Sequence, residues 1–369
     1  MRFLMLSWRD PRNPLGGGAE RVSKGYLGEL VRRGHEAFWF ANDFPGGKSE
    51  ETIEGIRIVR GGGHGTSILK AIAWYRRQPR FDLIIDQHHG IPWYAPWWCR
   101  TACVAYIHEV LGPIWRSFHA WPVSALGQAQ ERWTHWFYRK VPFWTPSEST
   151  KKCLLAEGVR QVAVFPNGTD ATPLLELEAK PLTSPLRLIT VCRLAPNKQV
   201  DHAIRAVNLL NKSGTNAHIT IVGSGEVEGQ LKRLVSELRL NEKVSFTGPL
   251  KEADKNAALR QAHFLVHTSL REGWGLNVIE ANAMGTPAIV YPVGGLVDST
   301  VNDVTGIIVA TEEPQAIATS LAAIAGKPAL YDKLRTQAWE RSKTFAWDKV
   351  LPPACDWLES QTRRREQTG

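Results

Sequence analysis

Glu272 and Glu280 stand eight residues apart in SLREGWGLNVIEANAMGTP (269–287), the stretch of this chain richest in groups that can do chemistry. Gly273, Gly275 and Leu276 lie at the start of a helical pattern, where backbone amides are expected to aim into a cleft. A carboxylate in such a place can accept hydrogen bonds from the vicinal hydroxyls of a sugar or ribose. Asn277-x-x-Glu280 also fits a helix capping box, in which Glu280 would only satisfy a backbone donor. Arg193 and Lys198, in VCRLAPNK directly after a strand pattern, are two cations that could neutralise a diphosphate. Their charge would count most as a phosphate leaves, because they stand where negative charge develops; an ordinary surface pair is the alternative.

Two weaker signals lie in the first half. Gly16-Gly17-Gly18 falls between a strand and a helix start, where glycine lets backbone N–H groups approach an anion. Its spacing is not that of a GxGxxG fingerprint, and a flexible loop is equally compatible. His108 closes the strand pattern ACVAYI and could bond a substrate hydroxyl or share a proton, or simply pack; His88-His89 follows another strand end. No Asp-x-Asp, P-loop or GxSxG elbow occurs, and the histidines lack metal-ligand spacing.

Short apolar runs alternating with amphipathic stretches must position these groups. FLMLSW (3–8), EAFWF (36–40), IRIV (56–59), DLIID (82–86), ACVAYI (102–107) and VAVF (162–165) read as strands, with a helix from Ala19 to about Gly34. Residues 171–185 carry three prolines and read as a linker. The alternation then restarts with LRLITV (186–191), HITIVG (218–223), VSFTG (244–248), FLVHTS (264–269), PAIVY (287–291) and GIIV (306–309). Helices are expected near 199–211, 226–239 and 277–284. Strand–helix alternation implies parallel sheets covered on both faces, hence an α/β chain of two doubly wound, Rossmann-like domains facing each other across a cleft. Ligands of such sheets bind beyond the carboxyl ends of the strands.

Composition narrows the class. With 369 residues, 43% hydrophobic and 22% charged, the chain is neither disordered nor fibrous. No apolar run approaches the ~18 residues of a membrane-spanning helix, and the opening Phe3–Leu6 run is too short for a signal-peptide core, so a cytoplasmic location is expected. Five scattered cysteines build no disulfide scaffold, and CxxxC at 99 and 103 has no second pair to make a zinc site. The net charge is +9; residues 1–170 hold 22 Lys and Arg against 15 Asp and Glu, a net +7, and eleven of the fifteen tryptophans precede residue 150. Such a half suits a phosphate-rich partner, a sugar or an anionic membrane surface, with AIAWYRRQPRF and ERWTHWFYRK as the candidate membrane-facing segments. The terminal RRRE reads as a solvated end.

Taken together, these segments resemble the retaining, nucleotide-sugar-dependent glycosyltransferases of family 4, the group 1 glycosyltransferases. GGGAERVSKGYLGELVRRGHEAFWF, VFPNGTD, VCRLAPNKQVDHAI, VGSGEVEGQLKRL and REGWGLNVIEANAMGTPAIVYPVGGLVDSTVNDVTGIIV are similar to successive segments of that family, in its order. Trp274 departs from it, since Phe is more usual there. The resemblance implies the GT-B fold: an acceptor-binding domain over 1–170, a nucleotide-sugar-binding domain over 171–345, and a segment over 346–369 crossing back to the first. It further implies that Arg193 and Lys198 hold the donor diphosphate, Glu272 contacts donor-sugar hydroxyls, and Glu280 accepts from the ribose. The amides of Gly273, Trp274, Gly275, Leu276 and Asn277 would lie near sugar and phosphate, with Gly223 by the base. Gly17 and Gly18 would close over the phosphates, and His108 would bond the sugar near the reacting carbon.

The expected reaction moves a hexosyl group from a UDP- or GDP-sugar to an acceptor hydroxyl, with retention and with no metal or other cofactor. The acceptor would be a glycan, a lipid-linked sugar or a small molecule. A sugar-nucleotide epimerase on the same scaffold, and more distantly a nucleic-acid-binding protein, are the alternatives; no nucleic-acid motif is present, and nucleic acid is not an expected partner.

Overall fold

A computed structural model describes residues 1–63 and 65–362; the RRRE tail lies outside them. The chain divides into two compact units, one built from Met1–Gly168 together with the segment from Trp347 onward, the other from Thr169–Ala346.

The first unit holds strands β1 (Arg2–Leu6), β2 (Glu36–Ala41), β3 (Glu50–Ile53), β4 (Ile56–Arg60), β5 (Leu83–His88), β6 (Ala102–Ile107), β7 (Phe143–Thr145) and β8 (Val162–Val164). Its helices are α1 (Gly18–Arg32), α2 (Ser67–Tyr75), α3 (Ala95–Trp98), α4 (Trp115–Phe118), α5 (Val123–Phe137) and α6 (Glu148–Ala156). The sheet order is β3-β4-β2-β1-β5-β6-β7-β8, parallel except for the β3–β4 hairpin. Strand β3 was not expected from sequence: EETI alternates only between exposed and half-buried positions, because it is an edge strand held by its partner. Strand β7 was also missed, being three residues long between Pro142 and Pro146.

The second unit holds β9 (Leu186–Val191), β10 (Ala217–Val222), β11 (Val244–Gly248), β12 (Phe264–His267), β13 (Ala288–Val290) and β14 (Gly306–Ile308). Around them lie α7 (Val200–Lys212), α8 (Glu228–Glu237), α9 (Glu252–Gln261), α10 (Leu276–Ala283), α11 (Leu296–Ser299), α12 (Pro314–Ala325) and α13 (Pro328–Ser342). All strands are parallel, in the order β11-β10-β9-β12-β13-β14. Residues 171–185 lack regular structure but are not a free linker. Leu174 donates its amide to the Ala283 carbonyl at 3.0 Å, and Arg335 and Trp339 of α13 donate to the carbonyls of Glu178 and Leu174. The final helix, α14 (Trp347–Thr362), belongs to the first unit, where Trp347 meets Tyr26 of α1 edge-on.

In both sheets the chain adds strands on one side of its first strand and then returns to the other. The switch falls between β1 and β5 in the first unit and between β9 and β12 in the second. Loops leaving those strands diverge, opening a crevice beyond their carboxyl ends.

The tryptophans of the first unit range from fully buried through half-buried to exposed. Trp39, Trp93 and Trp144 are fully buried; at ~25 cal/mol per Å² and roughly 200 Å² each, such a ring contributes about 5 kcal/mol to the core. The AIAWYRRQPRF segment belongs here too. Trp74 tilts against Phe38 and Phe40, and Tyr75 stacks on Phe81, so its aromatics are core rather than a membrane-facing surface. Trp97, Trp121, Trp133 and Trp136 are exposed.

Candidate active site

In the second unit, the loops at the switch point bring together residues more than seventy positions apart. Strand β9 ends at Val191, and the following loop makes one tight turn over Pro196–Lys198. Strand β12 ends at His267, and Thr268 donates its hydroxyl to the carbonyls of Lys198 and Gln199 at 3.0 and 2.8 Å. The Leu270 amide adds a bond to the Asn197 carbonyl at 2.9 Å. These bonds staple the two loops, so Lys198 Nζ rests 2.6 Å from Glu272 Oε2. His267 Nε2 lies 3.5 Å from the same oxygen.

Burial pushes the His267 imidazole down to about 4, leaving it neutral near neutral pH. Burial alone would raise the Glu272 carboxyl, but Lys198 and His267 outweigh it and hold the group below the ordinary carboxylate range. The result is a fixed ammonium–carboxylate pair with a neutral hydrogen-bonding ring beside it. Arg193 is exposed on the same strand-end loop, and no ion pair to it is seen among the described residues. An anion docking there would meet an unneutralised cation.

Helix α10 begins beside this cluster. Its N-cap is Gly275, at φ +86°, where a Cβ would stand 2.9 Å from Ser299 Oγ. The capping-box reading of Asn277 and Glu280 is therefore overturned. Asn277 is inside the helix and donates its side-chain amide to the Val191 carbonyl at 2.8 Å, tying α10 to the end of β9. Glu280 lies a turn deeper, buried, with Oε2 2.9 Å from the ammonium of Lys255 on α9. The first-turn amides of Leu276 and Asn277 remain at the positive end of the helix. Gly273 is buried, and the Trp274 ring packs edge-on against Phe345 rather than outward, so only its backbone is placed to meet a ligand. Gly223 has a packing reason of its own. Its φ is +127°, and a Cβ would stand 2.0 Å from the Cys192 carbonyl oxygen, so only glycine lets the β10 loop lie against the loop of Arg193.

The first unit builds a second cluster at its own switch point. Gly17 is the N-cap of α1, and Glu20 reaches back to accept from the Gly17 amide at 2.6 Å. Arg9, from the loop after β1, donates to Glu20 at 3.1 Å and to the Leu15 carbonyl at 3.0 Å, and its other nitrogen meets His89 Nε2 at 2.8 Å. The glycine loop is thus held by a charge pair, with Gly17 exposed and Gly18 half-exposed. Behind it, Ser23 donates to Gln87 Oε1 at 3.5 Å, which turns the Gln87 amide nitrogen toward His108 Nε2 at 3.1 Å. Burial, helped by the neighbouring His89, pushes His108 down to about 3. The proton-sharing role considered for His108 is disfavoured near neutral pH; a neutral hydrogen-bonding ring remains.

Glu20, Arg9, His267 and Lys255 were not singled out from sequence. Only Glu20 carried a local signal, its three-residue spacing from Gly17.

The neutral imidazoles have a consequence for stability. Burial pushes His108 to about 3, His263 and His267 to about 4, and His88 well below its ordinary value. Between pH 6.5 and about 4 the unfolded chain binds these protons and the folded chain does not, so stability falls with acidification. Each such group adds about 1.4 kcal/mol per pH unit to the slope over its window. Burial raises Asp86 to about 6, which opposes this with one group between about 4 and 6. Denaturant midpoints measured from pH 7 to 4.5 should fall steadily; a flat profile would contradict the neutral-imidazole assignment.

Comparison with known proteins agrees with this architecture. Residues 177–341 match the family described as "Glycosyl transferases group 1", and residues 16–172 match "Glycosyltransferase Family 4". A glycogen synthase of Mycobacterium tuberculosis is 25% identical over 95% of this chain and 92% of its own length. A D-inositol 3-phosphate glycosyltransferase of Streptomyces griseus is 31% identical over 44% of this chain and 37% of its own. Among solved structures, a sucrose-phosphate synthase of Thermosynechococcus elongatus superposes with a TM-score of 0.79 at 19% identity, covering 100% of both chains. The Anabaena protein HepE, solved with UDP and glucose, superposes with a TM-score of 0.74 at 16% identity, over 98% of this chain and 100% of that one. Two Rossmann-like units, each matched by its own glycosyltransferase family, make this chain a family 4, group 1 glycosyltransferase with the GT-B fold.

Proposed function

We propose that this glycosyltransferase moves a hexosyl group from a UDP- or GDP-sugar to an acceptor hydroxyl in the cytoplasm, with retention of configuration and without a metal ion. The observation that carries the reading is the Lys198–Glu272 pair at 2.6 Å beside the exposed Arg193, at the switch point of the second unit. Lys198 and Arg193 neutralise the departing diphosphate, the task a metal performs where a carboxylate motif grips one. Glu272 accepts from hydroxyls of the donor sugar, and the amides of Gly273 to Asn277 lie along the sugar and phosphate. Within the first unit, the exposed amides of the Gly17–Gly18 loop suit a phosphate, and the neutral His108 ring suits a sugar hydroxyl.

Glu272 is ion-paired, so a front-side displacement fits better than attack by this carboxylate. The bond from the anomeric carbon to phosphate oxygen breaks as the bond to the acceptor oxygen forms on the same face, and the acceptor proton passes to the leaving phosphate. The protein contributes positioning and charge stabilisation. The acceptor is a glycan, a lipid-linked sugar or a small molecule. HepE, solved with UDP and with UDP-glucose, supports a nucleotide-sugar donor.

A thermal-shift panel of nucleoside diphosphates and nucleotide sugars tests the donor, since a ligand of the folded state raises stability by RT ln(1 + [L]/Kd). Transfer assayed with the stabilising donor should persist in excess chelator; loss restored by Mn²⁺ or Mg²⁺ would refute metal independence. Sugar-nucleotide isomerisation without any acceptor would instead establish an epimerase.

Glu280→Gln addresses the ribose. Replacing a charged acceptor by a neutral amide removes about 1.4 kcal/mol of hydrogen bonding, close to tenfold in donor affinity. Because Lys255 is buried against Glu280, the same change should also lower the melting temperature. A lower melting temperature with unchanged donor affinity would assign Glu280 to Lys255 alone.

A further inference from the structure

Helix α5 is turned inside out relative to an ordinary surface helix. The residues it buries are polar: Ser124, Glu131, Thr134 and His135. The Glu131 carboxylate accepts from the amides of Leu111 and Gly112 at 2.6 and 2.7 Å, and His135 pairs with Glu157. Apart from Arg132, the large residues it exposes are apolar. Val123, Leu126, Trp133 and Trp136 are all at least half exposed, and at 3.6 residues per turn they fall within an arc of about 140°. Trp121, two residues before the helix, is 83% exposed, and Trp97 of α3 is exposed as well. A surface helix in contact only with water shows the opposite arrangement.

The charge within this stretch of chain is almost all of one sign. Across residues 110–147 the only carboxylate is the buried Glu131, against Arg116, Arg132, Arg139 and Lys140. Arg116, Arg132 and Lys140 are exposed, and Arg139 lies over the Trp136 ring at 4.2 Å. Between α4 and the start of α5 is a pocket of about 310 Å³, lined by Arg116, His119, Ser124 and Gln128, with Trp121 among its walls. It offers a cation, an imidazole, a hydroxyl and an amide in a space that suits a phosphate ester.

We propose that the α4–α5 face of the first unit docks on an anionic lipid bilayer, with its indoles in the headgroup layer and the pocket seating one lipid phosphate beside Arg116 and His119. Exposed Trp, Leu and Val flanked by Arg and Lys match the two zones of such an interface, apolar below and anionic above. A second copy of this face is the poorer occupant, because pairing would set the same cations against each other. This inference goes beyond the sugar-transfer reading, and its readout is lipid binding, so either can fail without the other.

The test is co-sedimentation and tryptophan fluorescence with vesicles of phosphatidylcholine alone and of phosphatidylcholine with phosphatidylglycerol, at low salt. The wild type should bind the anionic vesicles, blue-shift its emission, and bind the neutral vesicles far less. Each cation near the surface contributes about 1 kcal/mol, so Arg132→Gln with Lys140→Gln should weaken binding about 30-fold. Trp121→Ser with Leu126→Ser should abolish the blue shift, and Arg116→Gln should remove part of the affinity. Arg76→Gln with Arg77→Gln, in the stretch whose aromatics are core, should bind like the wild type. All four variants alter exposed side chains and should keep the wild-type melting temperature. No binding to anionic vesicles at low salt, or wild-type binding by the Trp121/Leu126 variant, overturns the proposal. So does a wild-type dimer that the Trp121/Leu126 variant splits into monomers.

Discussion

Lys198→Ala should lower turnover by roughly 10²–10³-fold, the loss expected when one preorganised donor is removed from a developing oxyanion. The ammonium is already fixed in the unliganded site by Glu272, so no ordering cost falls on the reaction step. The effect should appear in kcat rather than KM, because the extra charge on phosphate develops only in the transition state. A second signature separates this role from a merely structural ion pair. Burial pushes the Glu272 carboxyl up and Lys198 pulls it down, so without Lys198 the carboxyl should titrate closer to neutrality. The acid limb of the rate profile should then move to higher pH in the variant. Lys198→Arg keeps the charge and should recover part of the loss. Turnover near the wild-type value in Lys198→Ala would reduce this residue to a partner of Glu272.

Arg60→Met should destabilise the protein by about 3–5 kcal/mol, because it strands a buried carboxylate. Asp10 and Arg60 are both fully buried and bind two-pronged, Nε to Oδ2 at 2.6 Å and Nη2 to Oδ1 at 2.7 Å. Arg60 ends β4 and also contacts Glu51 and the Lys48 carbonyl at 2.6 and 2.7 Å. Asp10 opens the loop that runs to Gly17, so the pair anchors the glycine loop to the sheet. The Asp10→Leu/Arg60→Met double variant should be far less destabilised than the sum of the two single ones, since neither of the two fully buried charges is left without the other; only the partly exposed Glu51 loses a partner. Denaturant unfolding of the three variants gives the coupling directly. A loss below about 1 kcal/mol for Arg60→Met would mean that the pair is solvated as surface pairs are.

The clearest sequence signals were those carried by neighbours in the chain. Strand–helix alternation, the restart after residue 171 and the glycines before α10 follow from periodicity and backbone freedom over a few residues, and the strands they imply recur within one to two residues at most ends. EETI and FWT escaped because an edge strand and a three-residue strand carry almost no period of their own; their partners make them strands. The reactive cluster was half legible. Lys198 and Glu272 stood out by type and by the motif around them, but their contact spans 74 positions and exists only because Thr268 and Leu270 staple two strand-end loops. His267 looked like one residue within the apolar run FLVHTS, and only burial beside Glu272 gives it chemical meaning. For Glu280 the local spacing pointed to a cap, and tertiary packing decided otherwise by starting the helix at Gly275 and bringing Lys255 across from α9. Sequence determines what each segment can form, because dihedral preferences and hydrophobic period act between near neighbours. Which charges meet, which indoles are buried and which face of α5 turns outward were decided by the tertiary structure, because those depend on desolvation by residues far away in the chain.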